Sequence, residues 1–194
     1  MSTNGSAGRS QRERMLAGEL YIADDPELAA DSRRALKLME RFNLSSVDDP
    51  ALRRELLEEL LEHYGEGSEI RPPMFCDYGR HIRVGARTFI NFGLTALDVA
   101  RISIGDDVQM GPHVQLLTPT HPVEPGPRRD KWEAAEPIVI EDNVWLGGSA
   151  IVLPGVTVGK NTVVGAGAVV TKSLPANVVA VGNPAQVIRT LEER

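Results

Sequence analysis

The sequence has little of several features that mark large classes of protein. Its 194 residues include a single cysteine, Cys76, and aromatic residues make up only 5% of the chain. One cysteine cannot form an internal disulfide, which excludes a disulfide-stapled secreted domain. No run of about 18 apolar residues is present, so no membrane span is expected, and the N-terminal segment lacks the apolar core of a secretory signal. We therefore expect a cytoplasmic protein without a membrane partner.

Charge and composition narrow the class further. The chain carries 27 acidic against 21 basic residues, which gives a formal net charge of −6. A nucleic-acid-binding surface needs a net basic footprint, so no nucleic-acid partner is expected. Apolar residues make up 42% of the chain. That fraction is enough to bury a core, and the length suits one domain with a small appendage.

The N-terminal third of the chain has a helical pattern. We expect a disordered tail over residues 1–10, which are small and polar, and a helical segment over residues 11–70. Leucines spaced three and four apart form one stripe in the last helix of this segment. Asp49 followed by Pro50 is a typical start for that helix.

A period of six residues replaces the helical period in residues 71–190. The first position of each unit is apolar throughout: Val84, Ile90, Ala96, Ile104, Met110, Leu116, Ile140, Leu146, Val152, Val158, Val164 and Val170. A strand alternates faces every residue and a helix repeats about every 3.6 residues, so this period favours short strands joined by tight turns. Three units close one triangular coil, and stacked coils form a mainly β solenoid. A β-sandwich would repeat at about 8–12 residues instead.

One segment interrupts the repeat. Residues 122–137 are rich in proline and charged residues and cannot continue a packed coil. A loop of this length in a compact fold is usually functional or disordered. It begins directly after His121, which makes that histidine the first candidate for a catalytic residue.

Several motifs together resemble the maltose and galactoside O-acetyltransferases, which are hexapeptide-repeat acyltransferases. They are Met15–Tyr21, Cys76–Gly79, Asn91-Phe92, Thr120–Pro122, residues 137–148, Val163–Lys172 and Gly182–Pro184. The resemblance covers residues 12 to about 190. It implies a left-handed parallel β-helix, a handedness that the period itself does not supply because it violates the usual crossover rule. It also implies a homotrimer with active sites between subunits.

The same resemblance implies the reaction, which is direct transfer of an acetyl group from acetyl-CoA to a sugar hydroxyl. The 6-hydroxyl of maltose, glucose or a galactoside is the expected acceptor. His121 matches the general base, since an ordinary neutral imidazole can take the hydroxyl proton near neutral pH. Asn91 matches a hydrogen-bonding partner of the reacting groups. Asp77, Tyr78 and Asp98 match positions at or beside the sugar pocket, although either aspartate could instead cap a turn and the tyrosine could instead pack.

Further positions match the acetyl-CoA site. Backbone amides at Gly147 and Gly148 are expected to stabilise the thioester oxygen as it gains negative charge. The small residue Ala166 would let the pantetheine arm approach the backbone, and Thr171 and Lys172 follow that surface. Arg189 matches a position near the nucleotide end, and Gln186 replaces a second arginine of some relatives. No metal is implied, and Cys76 is expected to be a packing residue.

Three alternatives remain at the level of the sequence. A serine or antibiotic acetyltransferase would share the solenoid and the co-substrate. A zinc hydro-lyase like the γ-class carbonic anhydrases needs three histidines, and His81, His113 and His121 are available. A non-catalytic solenoid used for assembly is the third alternative.

Overall fold

The protein is described by a computed structural model over residues 8–192. Of the tail expected over residues 1–10, residues 1–7 lie outside the described part, and Ser10 caps the first helix. Among the described residues, none of the helices combines the length and the apolar character needed to cross a bilayer.

The helices that open the chain begin at capping residues that the sequence supplies. They are α1 (Gln11–Leu16), α2 (Pro26–Asn43) and α3 (Pro50–Leu60), with the short strand β1 (Tyr21–Ile22) between α1 and α2. The Ser10, Asp25 and Asp49 side chains each accept a hydrogen bond from a backbone N–H of the first turn. In α2 and α3 a proline follows the cap, at a position where its missing N–H costs nothing.

The rest of the chain winds through three sheets that form the sides of a triangular solenoid. Sheet 1 contains β2 (His63–Tyr64), β5 (Ile82–Val84), β8 (Ile102–Ile104), β13 (Ile138–Ile140) and β16 (Thr157–Val158). Sheet 2 contains β3 (Glu69–Ile70), β6 (Phe89–Ile90), β9 (Gln109–Met110), β14 (Trp145–Leu146), β17 (Val163–Val164), β19 (Val178–Val181) and β20 (Gln186–Thr190). Sheet 3 contains β4 (Met74–Cys76), β7 (Leu94–Leu97), β10 (Gln115–Leu117), β15 (Ile151–Val152) and β18 (Val169–Val170). Neighbouring strands are parallel, except for the final antiparallel pair β19–β20.

The first-position residues of the six-residue repeat all point into the solenoid and are buried. The first coil begins at His63, so β2 and β3 fall within residues 11–70, which were expected to be helical. Because β2 pairs in parallel with β5, the solenoid starts before residue 71.

The helices close the N-terminal end of the solenoid. The apolar side chains of α2 and α3 belong to the same core as the inward residues of the coils, and Phe42 and Leu60 are fully buried there. A second, smaller cluster joins α1, β1 and the loop to the solenoid; it contains Met15, Tyr21, Leu28, Tyr78, Val99 and Ala135.

Each coil turns at three corners, named here by the sheets they join. At the 2/3 corner, successive strands of sheet 2 are followed by Asn91, Gly111, Gly147 and Gly165. A Cβ added to Gly147 would lie 2.5 Å from the backbone nitrogen of Ala166 in the next coil. The stacked turns are therefore too close for a side chain, which explains the frequent glycine at the second position of the repeat.

The segment 122–137 leaves the solenoid at the 3/1 corner and is ordered. It is preceded by β11 (Pro119–Thr120) and contains the short helix α4 (Pro125–Arg129) and the strand β12 (Trp132–Ala135). Strand β12 pairs antiparallel with β11 on one side and with β1 on the other. The loop thus forms a small sheet that ties the N-terminal segment to the solenoid.

Candidate active site

The residues assigned to the sugar pocket meet at the 3/1 corner, but Asp98 has a different role from the one expected. Asp98 is completely buried, and its carboxylate accepts hydrogen bonds from the backbone N–H groups of Asp77, Tyr78 and His81. A sugar hydroxyl cannot reach a carboxylate that is enclosed in this way. The structure does not support a direct substrate contact at Asp98, and its side chain takes the turn-capping role that the sequence left open, holding the turn of residues 77–81.

Asp77 is the carboxylate that this turn presents. Its side chain is partly exposed, and within residues 8–192 its oxygens accept no hydrogen bond. Burial, followed by the charges of Asp98 and Glu133, raises the pKa of Asp77 to about 6. A partly desolvated carboxylate that accepts no hydrogen bond from the described residues is suited to accept hydrogen bonds from a ligand's hydroxyl groups.

Tyr78 packs instead of offering its ring to a ligand. Only 8% of the residue is exposed, and it lies in the second cluster with Tyr21 and Val99. Its ring is 5.5 Å from that of His81, at a tilt of 52°. The expected substrate contact at Tyr78 is therefore not supported, because its side chain is buried in this cluster.

Glu133 is a residue of this corner that the sequence reasoning missed. It lies on β12 opposite Tyr21, in the register Tyr21–Glu133. Burial, followed by the charge of Glu133, raises the pKa of the Tyr21 phenol. The only signal in the sequence was a carboxylate inside a loop that follows a candidate base. Its proximity to Asp77 depends on the pairing of β1 with β12, which no local pattern reveals.

His121 follows β11 directly, so the loop starts at the side chain expected to act as the base. The residue is exposed. Within the described part of the chain, its ring makes no hydrogen bond and no ion pair. Both ring nitrogens are thus open to a substrate.

Asn91 and the two glycines lie at a different corner from His121. Asn91 is half-buried at the 2/3 corner, where its side-chain oxygen accepts the N–H of Phe92 at 2.8 Å. The Gly147 N–H is already bonded to the Val164 carbonyl at 2.8 Å. The Gly148 N–H has no partner among the described residues, so only that amide is free to stabilise an oxyanion.

The residues expected to hold CoA spread over two corners and one end. Ala166 is exposed at the 2/3 corner, whereas Thr171 and Lys172 are exposed at the 3/1 corner. Arg189 is exposed on β20, opposite Val179. Gln186 lies on the same strand, opposite Val181. The protomer does not bring these side chains into one pocket.

The three histidines of the zinc alternative are not brought together. His81 is held at the 3/1 corner, where its Nδ1 lies 2.6 Å from the Asp98 carbonyl oxygen. His113 is exposed at the 2/3 corner, with its N–H bonded to the Phe92 carbonyl. Among the described residues, no three His, Cys, Asp or Glu side chains are placed to hold a metal ion.

Cys76 is a packing residue, as expected from the sequence. It is 7% exposed, and its Sγ lies 3.4 Å from the Met39 sulfur. Burial raises the pKa of the thiol, so a reactive thiolate is disfavoured.

Comparison with known proteins identifies the family. Residues 14–65 match the maltose acetyltransferase hexapeptide capping motif, and residues 137–172 match the bacterial transferase hexapeptide. A galactoside O-acetyltransferase from Lactococcus lactis is 41% identical over 93% of this chain and 88% of its own length. The structure of a maltose O-acetyltransferase from Clostridium difficile 630 has a TM-score of 0.94, with 41% identity over 95% of this chain and 99% of that one. A galactoside acetyltransferase solved in complex with coenzyme A has a TM-score of 0.92, with 37% identity over 95% of this chain and 92% of that one.

These similarities extend over nearly the whole chain and include both the helical opening and the solenoid. They also supply the handedness of the coils, which is left-handed. The chain belongs to the maltose and galactoside O-acetyltransferase family of hexapeptide-repeat acyltransferases.

Proposed function

We propose that this chain transfers the acetyl group of acetyl-CoA to a hydroxyl group of a sugar, with His121 as the general base. The observation that carries the proposal is the 3/1 corner. There the unpartnered carboxylate of Asp77 lies on the same edge of the solenoid as the start of the loop at His121. A carboxylate free to accept hydroxyl hydrogen bonds, on the same edge as an open imidazole, fits a polyhydroxy acceptor. The names of the relatives point to the same substrates.

The chemistry follows from the groups available. The neutral imidazole of His121 takes the proton of the acceptor hydroxyl while that oxygen forms a bond to the thioester carbonyl carbon. The carbonyl oxygen becomes an oxyanion, which the free N–H of Gly148 stabilises, with Asn91 at the same corner as a second donor. Collapse breaks the carbon–sulfur bond, and the CoA sulfur leaves with the proton held by His121. General-base help of this kind contributes about 10²–10⁴-fold to the rate.

A homotrimer is part of the proposal because one protomer separates the two halves of the site. His121 and Asp77 are at the 3/1 corner, whereas Gly148 is at the 2/3 corner. The extended chain from Gly93 to Asp98 that separates the corners spans about 16 Å at about 3.3 Å per residue. A 3/1 corner facing a 2/3 corner of a neighbouring copy would bring the groups together. Exposed apolar side chains support such a contact, and they include Phe75, Phe92 and Trp145.

The same arrangement would complete the CoA site. Ala166 offers open backbone at one corner, and Thr171 and Lys172 offer a hydroxyl and a charge at the other. We assign the pantetheine arm to the surface between them and the phosphates to Lys172 and Arg189. Among sugar hydroxyls we assign the primary 6-hydroxyl, because it projects farthest from the ring.

The test is release of CoA thiol from acetyl-CoA in the presence of maltose, glucose and galactosides. Wild type, His121→Ala and the control His63→Ala are compared; His63 is exposed on sheet 1, away from both corners. We expect sugar-dependent release that falls by about 10² or more in His121→Ala only. Release stimulated only by serine, an amine or an antibiotic would refute the sugar assignment. Equal rates in His121→Ala and wild type would refute the assignment of His121 as the general base.

Sedimentation at micromolar concentration tests the assembly. A monomer that retains full activity would refute the shared site. NMR of the isolated product would locate the ester, and acetylation elsewhere than the 6-position would refute the regiochemistry.

A further inference from the structure

The carboxylate of Asp98 is the most completely enclosed charged group near the proposed acceptor site. One oxygen, Oδ1, accepts the N–H of Asp77 at 3.0 Å and that of Tyr78 at 2.9 Å. The other oxygen, Oδ2, accepts the N–H of His81 at 3.2 Å. The Asp98 main-chain carbonyl lies 2.6 Å from the His81 Nδ1. One residue therefore binds both ends of the 77–81 turn.

Only a carboxylate satisfies this arrangement. The three surrounding groups are all N–H donors, and a carboxylate offers acceptors on both oxygens. An asparagine could keep Oδ1 on Asp77 and Tyr78, but its NH₂ group would then face the N–H of His81. Because the site is fully buried, the unsatisfied donors could not turn to water, and the turn would have to move.

Other contacts hold the middle of the turn, whereas the backbone N–H of its first residue, Asp77, is bonded to Asp98. Gly79 has φ = 72°, and a Cβ there would lie 2.6 Å from the Leu60 side chain. The Arg34 guanidinium donates to the Tyr78 carbonyl at 3.4 Å. Both contacts come from the helical side of the turn. The backbone of Asp77 is fastened to the solenoid side through its bond to Asp98.

We propose that Asp98 is a positioning residue for the acceptor: its buried carboxylate holds the turn of residues 77–81 and thereby directs the Asp77 carboxyl group toward an acceptor hydroxyl. The inference rests on the proposed function, because it takes Asp77 as the acceptor contact. It replaces a direct contact of Asp98 with the sugar by an indirect one.

The charge of Asp98 has a second effect that a purely structural side chain would not have. Burial, followed by the charges of Asp98 and Glu133, raises the pKa of Asp77 to about 6. Other titratable groups that interact with Asp77 are the Tyr21 and Tyr78 phenols and the Cys76 thiol, whose own pKa values are raised, so they are neutral near pH 7. The Arg34 guanidinium and the His81 imidazole also contact the turn, through the Tyr78 carbonyl and through Asp98. Removing either carboxylate charge therefore lowers the pKa of Asp77.

The acceptor KM should depend on pH because only one form of Asp77 accepts well. Ionised Asp77 accepts hydrogen bonds from hydroxyl groups, whereas the protonated form does so poorly. The acceptor KM should be high below about pH 6 and should fall as the pH rises through that value. In Asp98→Asn and in Glu133→Gln the same fall should occur at lower pH.

The experiment measures kcat and the KM values of the acceptor and of acetyl-CoA between about pH 5 and pH 8. The matched control is Thr88→Val. Thr88 is also buried and also bonded to neighbouring backbone, since its Oγ1 donates to Gly105 and accepts from Val108, but it lies at the 1/2 corner. We expect Asp98→Asn to raise the acceptor KM about tenfold and to change the acetyl-CoA KM by less than about twofold. Thr88→Val should change neither KM and should leave the pH profile in place.

Two results would overturn the inference. One is an acceptor KM in Asp98→Asn no higher than in Thr88→Val. The other is an acceptor-KM profile that stays at the same pH in both carboxylate variants. If Asp98→Asn fails to fold, hydrogen exchange on the wild-type protein tests the inference instead. The amides of Asp77, Tyr78 and His81 must then exchange as slowly as the solenoid core, and fast exchange refutes the positioning role.

A wild type that shows no sugar-dependent thiol release refutes the proposed function itself and with it this inference. An active wild type with an unaffected Asp98→Asn refutes the inference alone.

Discussion

Replacing Asp77 by asparagine should stabilise the protein while weakening its use of an acceptor. The pKa of Asp77 rises from an ordinary 3.8 to about 6 in the folded chain, through burial and then through the charges of Asp98 and Glu133. Its ionised form is therefore disfavoured by folding. Such a cost is expected where a group is held ready for a ligand and not for stability.

The magnitude follows from proton linkage. A shift of about two pKa units corresponds to about 3 kcal/mol, at about 1.36 kcal/mol per unit. The folded chain keeps its proton to higher pH than the unfolded chain, so between about pH 4 and pH 6 the free energy of unfolding falls as the pH rises. The full cost is present above about pH 6. Asp77→Asn removes it, so the variant should gain about 3 kcal/mol at pH 7.5 and only about 1 kcal/mol at pH 4.5.

The assay is urea unfolding at both pH values, at one protein concentration, with the m-values compared. Asp107→Asn is the control of opposite sign. Asp107 is paired with Arg87, which lowers the pKa of Asp107, so this substitution should not stabilise the protein. The reasoning on Asp77 would be refuted if Asp77→Asn were no more stable than wild type at pH 7.5, or if the difference were the same at both pH values.

Two further predictions concern the coils and the loop. Gly147→Ala should destabilise the protein by more than Gly167→Ala in thermal unfolding. The new Cβ at position 147 would lie 2.5 Å from the backbone of the next coil. The new Cβ at position 167 would meet nothing within 4 Å, so that variant should lose only about 1–2 kcal/mol because of its left-handed backbone. Equal losses would contradict the role given to the stacked turns. Tyr21→Phe removes the phenol whose pKa Glu133 affects, on the strand that pairs with the loop. If that phenol helps to hold the loop, tryptic cleavage within residues 128–131 should be faster than in wild type; an unchanged cleavage rate would show that β1–β12 pairing alone holds the loop.

Much of the architecture could be read from the sequence because its determinants are local. The period of six predicted the inward residues, since burial at one position per short strand repeats whatever the rest of the chain does. The helix start at Asp49 follows from cap chemistry within a single turn. The loop after His121 was visible as a break in composition. Family motifs supplied the handedness and the co-substrate, neither of which the period contains.

The tertiary structure decided which of the candidate groups is free. Asp77 and Asp98 look alike in the sequence, yet one is partly open and the other is enclosed by three N–H donors, because a turn of the preceding coil lies directly against Asp98. Gly147 and Gly148 are adjacent, but the carbonyl of Val164 in the next coil occupies only the first amide.

In each case the deciding partner lies about one coil away along the chain. Its position is set by how the coils stack and not by any local pattern. The sequence by itself thus determined the repeat, the helix start at Asp49 and the candidate groups. Only the stacking of the coils determined which of those groups remains available to a substrate.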